Sequence, residues 1–306
     1  RCLAARVRRG PPRVRPPSAR ASSSSSSSSS RRSSRPSKRL YLIRHGRTEM
    51  NEYLASNRWD APDFVDPGLV DTRLTPLGEA QASALRPIVR ALDPPPEVLV
   101  ASPLTRALRT AELAFEGSDF RCPEDDRAPI RRVTCALARE RVFHASDVGR
   151  RASAIEKDFP GWCLREIRER HGEGPWWYVG GGEEEGEESG RGDENETAGT
   201  AGGSHPAARP GDGGDAGGDG GDDSGRARGR RPRDIPGDAV TLEPALAFEA
   251  RMARLVEWID AREESVLALV AHWGVWYSLT GREFENCELV AFDLEDLEPG
   301  KGEMPV

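Results

Sequence analysis

Three short apolar runs constrain what this chain can fold into. Arg39-Leu40-Tyr41-Leu42-Ile43 runs straight into Arg44-His45-Gly46. Glu97-Val98-Leu99-Val100-Ala101 ends at Ser102, and Ser265-Val266-Leu267-Ala268-Leu269-Val270-Ala271 runs into His272. None of them alternates apolar with polar, so neither face of such a strand can look at water. Continuous apolar strands belong to parallel sheets covered on both sides. Cys287 to Asp293 is a fourth candidate strand. No apolar stretch approaches the ~20 residues of a membrane-spanning helix, so the sequence predicts no membrane association.

Helical patterns lie between the runs. Thr75-Pro76 supplies a capping hydroxyl followed by proline at the first helical position. Leu77, Ala80, Leu85, Ile88 and Leu92 continue at helical spacing, with Pro87 set to kink or shorten the helix. Ser102-Pro103 repeats the start signal before Leu104, Leu108, Ala111 and Phe115. Leu246, Phe248, Met252, Leu255, Val256 and Ile259 form a late stripe. Strands alternating with helices predict an α/β fold, a three-layer αβα sandwich with a mainly parallel sheet.

The composition, 36% hydrophobic and 31% charged, is too polar for one globule of 306 residues, but the deficit is local. Residues 1–38 are rich in Arg, Pro and Ser, with an unbroken serine run from Ser22 to Ser30. Residues 180–238 are rich in Gly and acid, with Arg226, Arg228, Arg230, Arg231 and Arg233 near the end. Both stretches have little to bury and are expected to be disordered, the second as an insertion inside one domain. The predicted organisation is therefore a basic head at 1–38, a domain at 39–295 interrupted at 180–238, and a tail at 296–306. The head has the composition of an organelle transit peptide and equally that of a plain basic tail. Localisation is read as intracellular, either cytoplasmic or in a plastid or mitochondrion. Five scattered cysteines without a C-x-x-C pair argue against a disulfide scaffold or a Cys-type zinc site. Residues 1–40 carry 12 Arg or Lys and no acid, although the whole chain has a net charge of −7. A basic head on an acidic body does not describe a nucleic-acid-binding domain. No residue pattern sets an oligomeric state.

In open α/β sheets ligands bind beyond the carboxyl ends of the strands. His45 and His272 directly follow strands there, and Arg106 falls in the first turn of the helix after Ser102. With Arg44, these residues make an anion site in which two guanidiniums suit phosphate. The alternative for a histidine at a strand end is a polar residue at a boundary.

Five blocks then resemble one family. Arg44-His45-Gly46-Arg47-Thr48-Glu49-Met50-Asn51 resembles the signature of the histidine phosphatase superfamily, also called phosphoglycerate mutase-like. Leu74-Thr75-Pro76-Leu77-Gly78-Glu79-Ala80-Gln81-Ala82 is similar to its L-T-x-x-G-x-x-Q-A segment, and Ser102 to Ala111 to its S-x-x-x-R-A-x-x-T-A helix. Glu140 stands where the family has its acid. Val270-Ala271-His272-Trp273-Gly274, followed by Leu279-Thr280-Gly281 and Glu285-Asn286-Cys287-Glu288, resembles the second histidine motif. The resemblance implies a phosphoglycerate mutase-like fold and ping-pong phosphoryl transfer without metal or cofactor. In that scheme His45 is the nucleophile and forms a phosphohistidine. Arg44, Arg106 and His272 hold the phosphoryl oxygens, and Glu140 is the general acid and then base. Thr48 and Asn51 align with positions that contact the phosphoryl group or substrate. Arg47 stands where the family often has an acid or amide, and is expected either to extend the anion pocket or to face solvent. Trp273 is expected to wall the pocket, and Trp176-Trp177 to pack or to assist it.

The mutase branch carries a Gly-Trp pair soon after its first motif. Here Asn57-Arg58-Trp59-Asp60-Ala61-Pro62-Asp63-Phe64 follows instead, which favours a phosphatase acting on a small-molecule phosphoester. The alternatives are a mutase and a non-catalytic phosphate-binding protein. Cys135 to Arg141 has the C-x5-R spacing of cysteine phosphatases, but Leu137, Arg139 and Glu140 fit a phosphate cradle poorly. Metal hydrolysis lacks an H-x-x-x-H or a clustered Asp/His pattern.

Overall fold

The computed structural model describes residues 37–121, 129–180 and 240–303 in full, and the backbone alone of Arg8–Arg9, Cys122 and residues 125–128. Most of the basic head, and the Gly- and acid-rich segment from 181 to 239, lie outside the described residues. The chain divides into two units, Arg1–Gly180 with Asp238–Val306, and Gly181–Gly237.

The centre of the first unit is a sheet built from β1 (Arg39–Arg44), β2 (Val98–Ala101), β3 (Arg131–Thr134), β4 (Val266–Ala271) and β5 (Leu289–Asp293). The order is β5-β1-β4-β2-β3, with Arg8–Arg9 pairing outside β5. β1, β4, β2 and β3 run parallel, and β5 is antiparallel to β1. β3 is an edge strand with two arginines and no apolar run, so hydropathy does not announce it.

The apolar runs are continuous because both faces of the sheet are covered. Tyr41, Ile43, Leu99, Ala101, Ala268 and Val270 pack on one side with Ala82, Leu85, Leu108, Ala111, Ile155 and Ile167. These belong to α2 (Pro76–Ala84), α4 (Thr105–Phe115), α5 (Ala152–Asp158) and α6 (Arg165–His171) and the links between them. Leu40, Leu42, Val98, Val100, Leu267 and Leu269 face the other way. They meet Phe248, Met252, Leu255 and Ile259 of α7 (Ala245–Ala261) and Val275, Trp276 and Leu279 of α8 (Trp273–Thr280). This is the expected three-layer αβα sandwich with a mainly parallel sheet. Full burial of side chains of this size contributes ~1.5–3 kcal/mol each.

Local signals are mostly realised. Thr75 caps α2 by accepting from the Gly78 N–H at 3.1 Å. The break before Pro87 splits the helical stretch at Leu85 into α2 and α3 (Arg86–Arg90). Three details depart from expectation. α4 begins at Thr105, two residues after Pro103, because the Asp71 carboxylate accepts the Thr105 N–H at 2.8 Å and serves as the remote cap. Leu246 is 80% exposed and lies off the buried stripe of α7. The stretch after residue 295 is no loose tail: Leu297 is buried, and Gly302 donates to the Ser278 carbonyl of α8. No helix among the described residues is long and apolar enough to cross a membrane.

Candidate active site

Parallel register brings the strand ends to one edge. Arg44 stands opposite Ala271, and Ala101 opposite Val270. The His45 N–H continues the ladder onto the Ala271 carbonyl, and the Ser102 N–H onto Val270, each at 3.0 Å. His45, Ser102 and His272 therefore leave the sheet side by side.

The loop after β1 is pinned by the helices beneath it. A β-carbon at Gly78 would stand 2.0 Å from the Arg47 carbonyl oxygen, and one at Gly46 would stand 2.6 Å from the Gly78 carbonyl oxygen. Only glycine allows this approach. Gln81 Oε1 accepts the Arg47 N–H at 3.0 Å, and Thr110 Oγ1 accepts the Gly46 N–H at 3.0 Å. Thr48 caps α1 (Glu49–Ser56) in a reciprocal capping box with Asn51. Asn286 Nδ2 donates to the His45 carbonyl at 3.0 Å and to Asn51 Oδ1 at 3.4 Å.

A cavity of about 250 Å³ opens here, lined at its deep end by Arg44, His45, Arg106 and Glu140. His45 Nδ1 lies 2.8 Å from the Gly46 carbonyl oxygen. A carbonyl only accepts, so Nδ1 carries the proton and Nε2 keeps its lone pair. Burial, then the charges of Arg106 and Arg44, hold His45 well below the usual imidazole range, so the ring is neutral. Arg44 donates through Nη1 to the Phe284 carbonyl at 2.6 Å, while its buried Nε has no partner. Burial also lowers the Arg44 pKa. A buried guanidinium with an unused N–H beside a lone-pair nitrogen is an arrangement that favours an anion.

Arg106 is held from three sides. Its Nε donates to His272 Nδ1 at 3.3 Å, Nη1 to the Ser146 carbonyl at 2.6 Å, and Nη2 to Asp147 Oδ1 at 2.8 Å. Asp147 Oδ2 accepts the Phe143 and His144 N–H groups, fixing the turn that follows Glu140. Glu140 accepts from the Arg141 N–H at 3.0 Å and from the Gly274 N–H, in the first turn of α8, at 3.1 Å. Burial, then the Asp147 charge, raises its pKa. A carboxyl that is more readily protonated can donate a proton. The turn before it is held by Arg251, which donates to the Leu137 and Arg139 carbonyls at 2.7 and 2.8 Å and forms a fully buried pair with Glu243.

One sequence expectation is not met, and two others are decided between their alternatives. His272 does not line the cavity. Its ring lies 5.2 Å from that of His45, but both of its nitrogens are engaged, Nδ1 by Arg106 and Nε2 by Ser102 Oγ at 2.7 Å. It braces Arg106 rather than facing the cavity. Arg47 does not line it either: its guanidinium stands 3.6 Å from the partly exposed Glu52 of α1. Trp176 is buried in the core and Trp177 packs against it at right angles, both away from the cavity. Thr48, Asn51 and Trp273 do line the cavity, and Trp273 is stacked on Tyr277 at 5.0 Å. Cys135 sits in the core, where burial pushes its thiol up to about 12. It holds no thiolate at neutral pH, so the C-x5-R spacing carries no chemistry. Among the described residues, no three His, Cys, Asp or Glu side chains cluster so as to hold a metal ion.

Sequence reasoning missed Asp147, Ser146, Glu243 and Arg251. Asp147 and Ser146 follow Glu140 in a stretch without periodicity. Glu243 stands just beyond the Gly- and acid-rich segment, where nothing local links it to residue 140.

Residues 40–128 match the model of a family described as histidine phosphatase superfamily (branch 1). Over 81 residues the chain is 38% identical to a 2,3-bisphosphoglycerate-dependent phosphoglycerate mutase of Corynebacterium diphtheriae. It is 32% identical over 81 residues to phosphoglycerate mutase 1 of Saccharomyces cerevisiae. Each alignment takes in 26% of this chain and 29% of the relative, so the match spans less than a third of the curated relatives' length. Among solved structures, a mycobacterial glucosyl-3-phosphoglycerate phosphatase overlaps 84% of this chain and 90% of its own, with 17% identity and a TM-score of 0.38.

Proposed function

We propose that the chain, which the match over residues 40–128 identifies as a member of the histidine phosphatase superfamily, hydrolyses a phosphomonoester through a phosphohistidine on His45, without metal or cofactor. The observation that carries this reading is the single tautomer of His45. Its Nδ1 proton is committed to the Gly46 carbonyl, and Nε2 stays unprotonated beside Arg44 and Arg106.

In the first step Nε2 attacks phosphorus, and the P–O bond to the alcohol breaks as the P–N bond forms. Glu140 delivers its proton to the leaving oxygen. Arg44 and Arg106 face the phosphoryl oxygens and offset the charge spread over them. In the second step the ionised Glu140 takes a proton from water, which attacks phosphorus and releases phosphate and neutral His45. His272 and Ser102 act behind Arg106, fixing its plane. A bidentate guanidinium works only when its fork is aimed.

A mutase reading has one observation in its favour, since the curated relatives that match over 81 residues are phosphoglycerate mutases. It needs an acceptor carrying a second anionic group, and so a free cation at the cavity mouth. The side chains of Arg141 and His144 there already have partners within the protein. Arg141 Nε donates to the Glu243 carbonyl at 2.8 Å, and His144 Nδ1 stands 3.6 Å from Asp66. Product analysis separates the two. A hydrolase releases free phosphate from a panel of monoesters and tolerates EDTA. Efficient interconversion of 2- and 3-phosphoglycerate with little phosphate released would overturn the hydrolase reading.

A further inference from the structure

The mouth of the cavity has a chemistry that phosphoryl transfer does not need. Beyond Arg44 and Arg106 its wall mixes polar side chains with an apolar group made of Met50 and Leu54 from α1, Trp59 from the loop after it, Phe143 from the turn after Glu140, and Trp273 from the start of α8. Trp59 is 48% exposed and meets the Phe143 ring edge-on at 6.3 Å. Trp273 is stacked on Tyr277. Rigid aromatic side chains with exposed surface gain when a flat apolar group covers them.

Several polar groups at the mouth are already used by the protein itself. Thr48 and Asn51 are closed into their capping box, and Thr72 Oγ1 accepts the Met50 N–H at 3.3 Å. Arg141 lies over the Phe143 ring with its guanidinium 4.5 Å from the centroid. A sugar or a glycerate entering here would set its hydroxyls or carboxylate partly against aromatic and aliphatic surface, which disfavours it relative to a flat apolar group.

We propose that the substrate is a phosphomonoester of an aromatic alcohol, its ring seated against Trp59, Phe143 and Trp273 and its phosphoryl group at Arg44 and Arg106. This rests on the reading of His45 as phosphoryl acceptor only for the turnover measurements. Trp59 and Phe143 are then specificity residues, acting on the organic group and not on phosphorus.

The test compares phenyl phosphate with 2-naphthyl phosphate, esters of phenols of similar acidity that differ by one fused ring, alongside glycerol 2-phosphate and 3-phosphoglycerate. The naphthyl ester is expected to exceed the phenyl ester about tenfold in kcat/KM, through KM. Trp59→Ala, at a half-exposed position, is expected to bring that ratio near one. Phe143→Ala is a second variant with the same expected direction. In parallel, calorimetry on His45→Ala protein measures binding of both aryl phosphates without turnover, and the naphthyl ester is again expected to bind more tightly. Equal binding and equal kcat/KM for the two aryl esters, or a preference for 3-phosphoglycerate, would overturn the proposal and leave the hydrolase reading standing. Tighter naphthyl binding with no turnover of any ester would support the aromatic seat and overturn the hydrolase reading.

Discussion

The two ends of the cavity are built on different principles. At the deep end each polar group is placed by something rigid. Parallel register sets His45 beside His272, two glycine contacts seat the loop after β1, and three partners aim Arg106. At the mouth, Trp59 and Phe143 sit on connections between elements and touch each other edge-on. The contrast separates a reaction held by the scaffold from a recognition surface carried on loops, where substitution changes the partner without disturbing the chemistry. Changes at the deep end should therefore lower turnover for every ester, and changes at the mouth should re-rank esters.

Among changes that leave the nucleophile in place, the largest effect should come from Glu140→Gln. Loss of general acid–base catalysis typically reduces rate ~10²–10⁴-fold, and that loss is expected on an alkyl phosphate. In kcat/KM, which reports the first transfer, it should be much smaller on 4-nitrophenyl phosphate, whose leaving group needs no proton. The pH profile sharpens this. The raised Glu140 pKa keeps the carboxyl protonated to higher pH, and the depressed His45 pKa keeps the ring neutral to lower pH. Activity then falls on the alkaline side as Glu140 ionises and on the acid side as His45 protonates. Glu140→Gln is expected to erase the alkaline limb alone in kcat/KM. A variant that re-ranks esters by size instead would move Glu140 to the recognition surface.

Next in size, Arg106→Lys should reduce kcat/KM about 10²–10³-fold, since a point charge replaces an aimed fork. The loss should be uniform across aryl and alkyl esters measured in parallel. Asp147→Ala strips the partner from a buried guanidinium and frees two backbone N–H groups, so it should destabilise the fold by about 3 kcal/mol in urea unfolding. A smaller loss would mean that Arg106 is not tied to its pocket. Cys135→Ala removes one buried sulfur and is expected to lower stability by about 1 kcal/mol with kcat/KM unchanged.

The smallest effect is on stability against pH. A carboxyl whose folded pKa is raised weakens the fold as pH climbs from the unfolded carboxyl range, ~4.3, through the folded value. Glu140→Gln should therefore melt higher than the parent near neutral pH and show no advantage in acid. Thermal melts at both pH values check it.

Most of the deep end was legible in the sequence. A strand buried on both faces must be apolar throughout, so β1, β2 and β4 show themselves, and their ends place His45, Ser102 and His272 without any coordinates. The second block is legible for reasons that only the structure explains: Thr75 caps, Gly78 admits the Arg47 carbonyl, and Gln81 holds the Arg47 N–H. Contacts made across long sequence separations were not legible. Asp71 caps a helix that opens at Thr105, Glu243 and Arg251 hold the turn before Glu140, and His272 is used up by Arg106 and Ser102. The edge strand β3 and the aromatic mouth have no period or spacing to reveal them, because each is defined by what lies opposite it in space.

Phosphoryl capture by His45 is the claim on which the rest depends. The direct measurement is rapid acid-free quenching of the protein during turnover of a ³²P-labelled monoester, followed by peptide mapping. The account predicts label on the peptide containing His45, stable in base and lost in acid, absent from His45→Ala and undiminished in Cys135→Ser. Label on Cys135, or turnover that survives in His45→Ala, would contradict it.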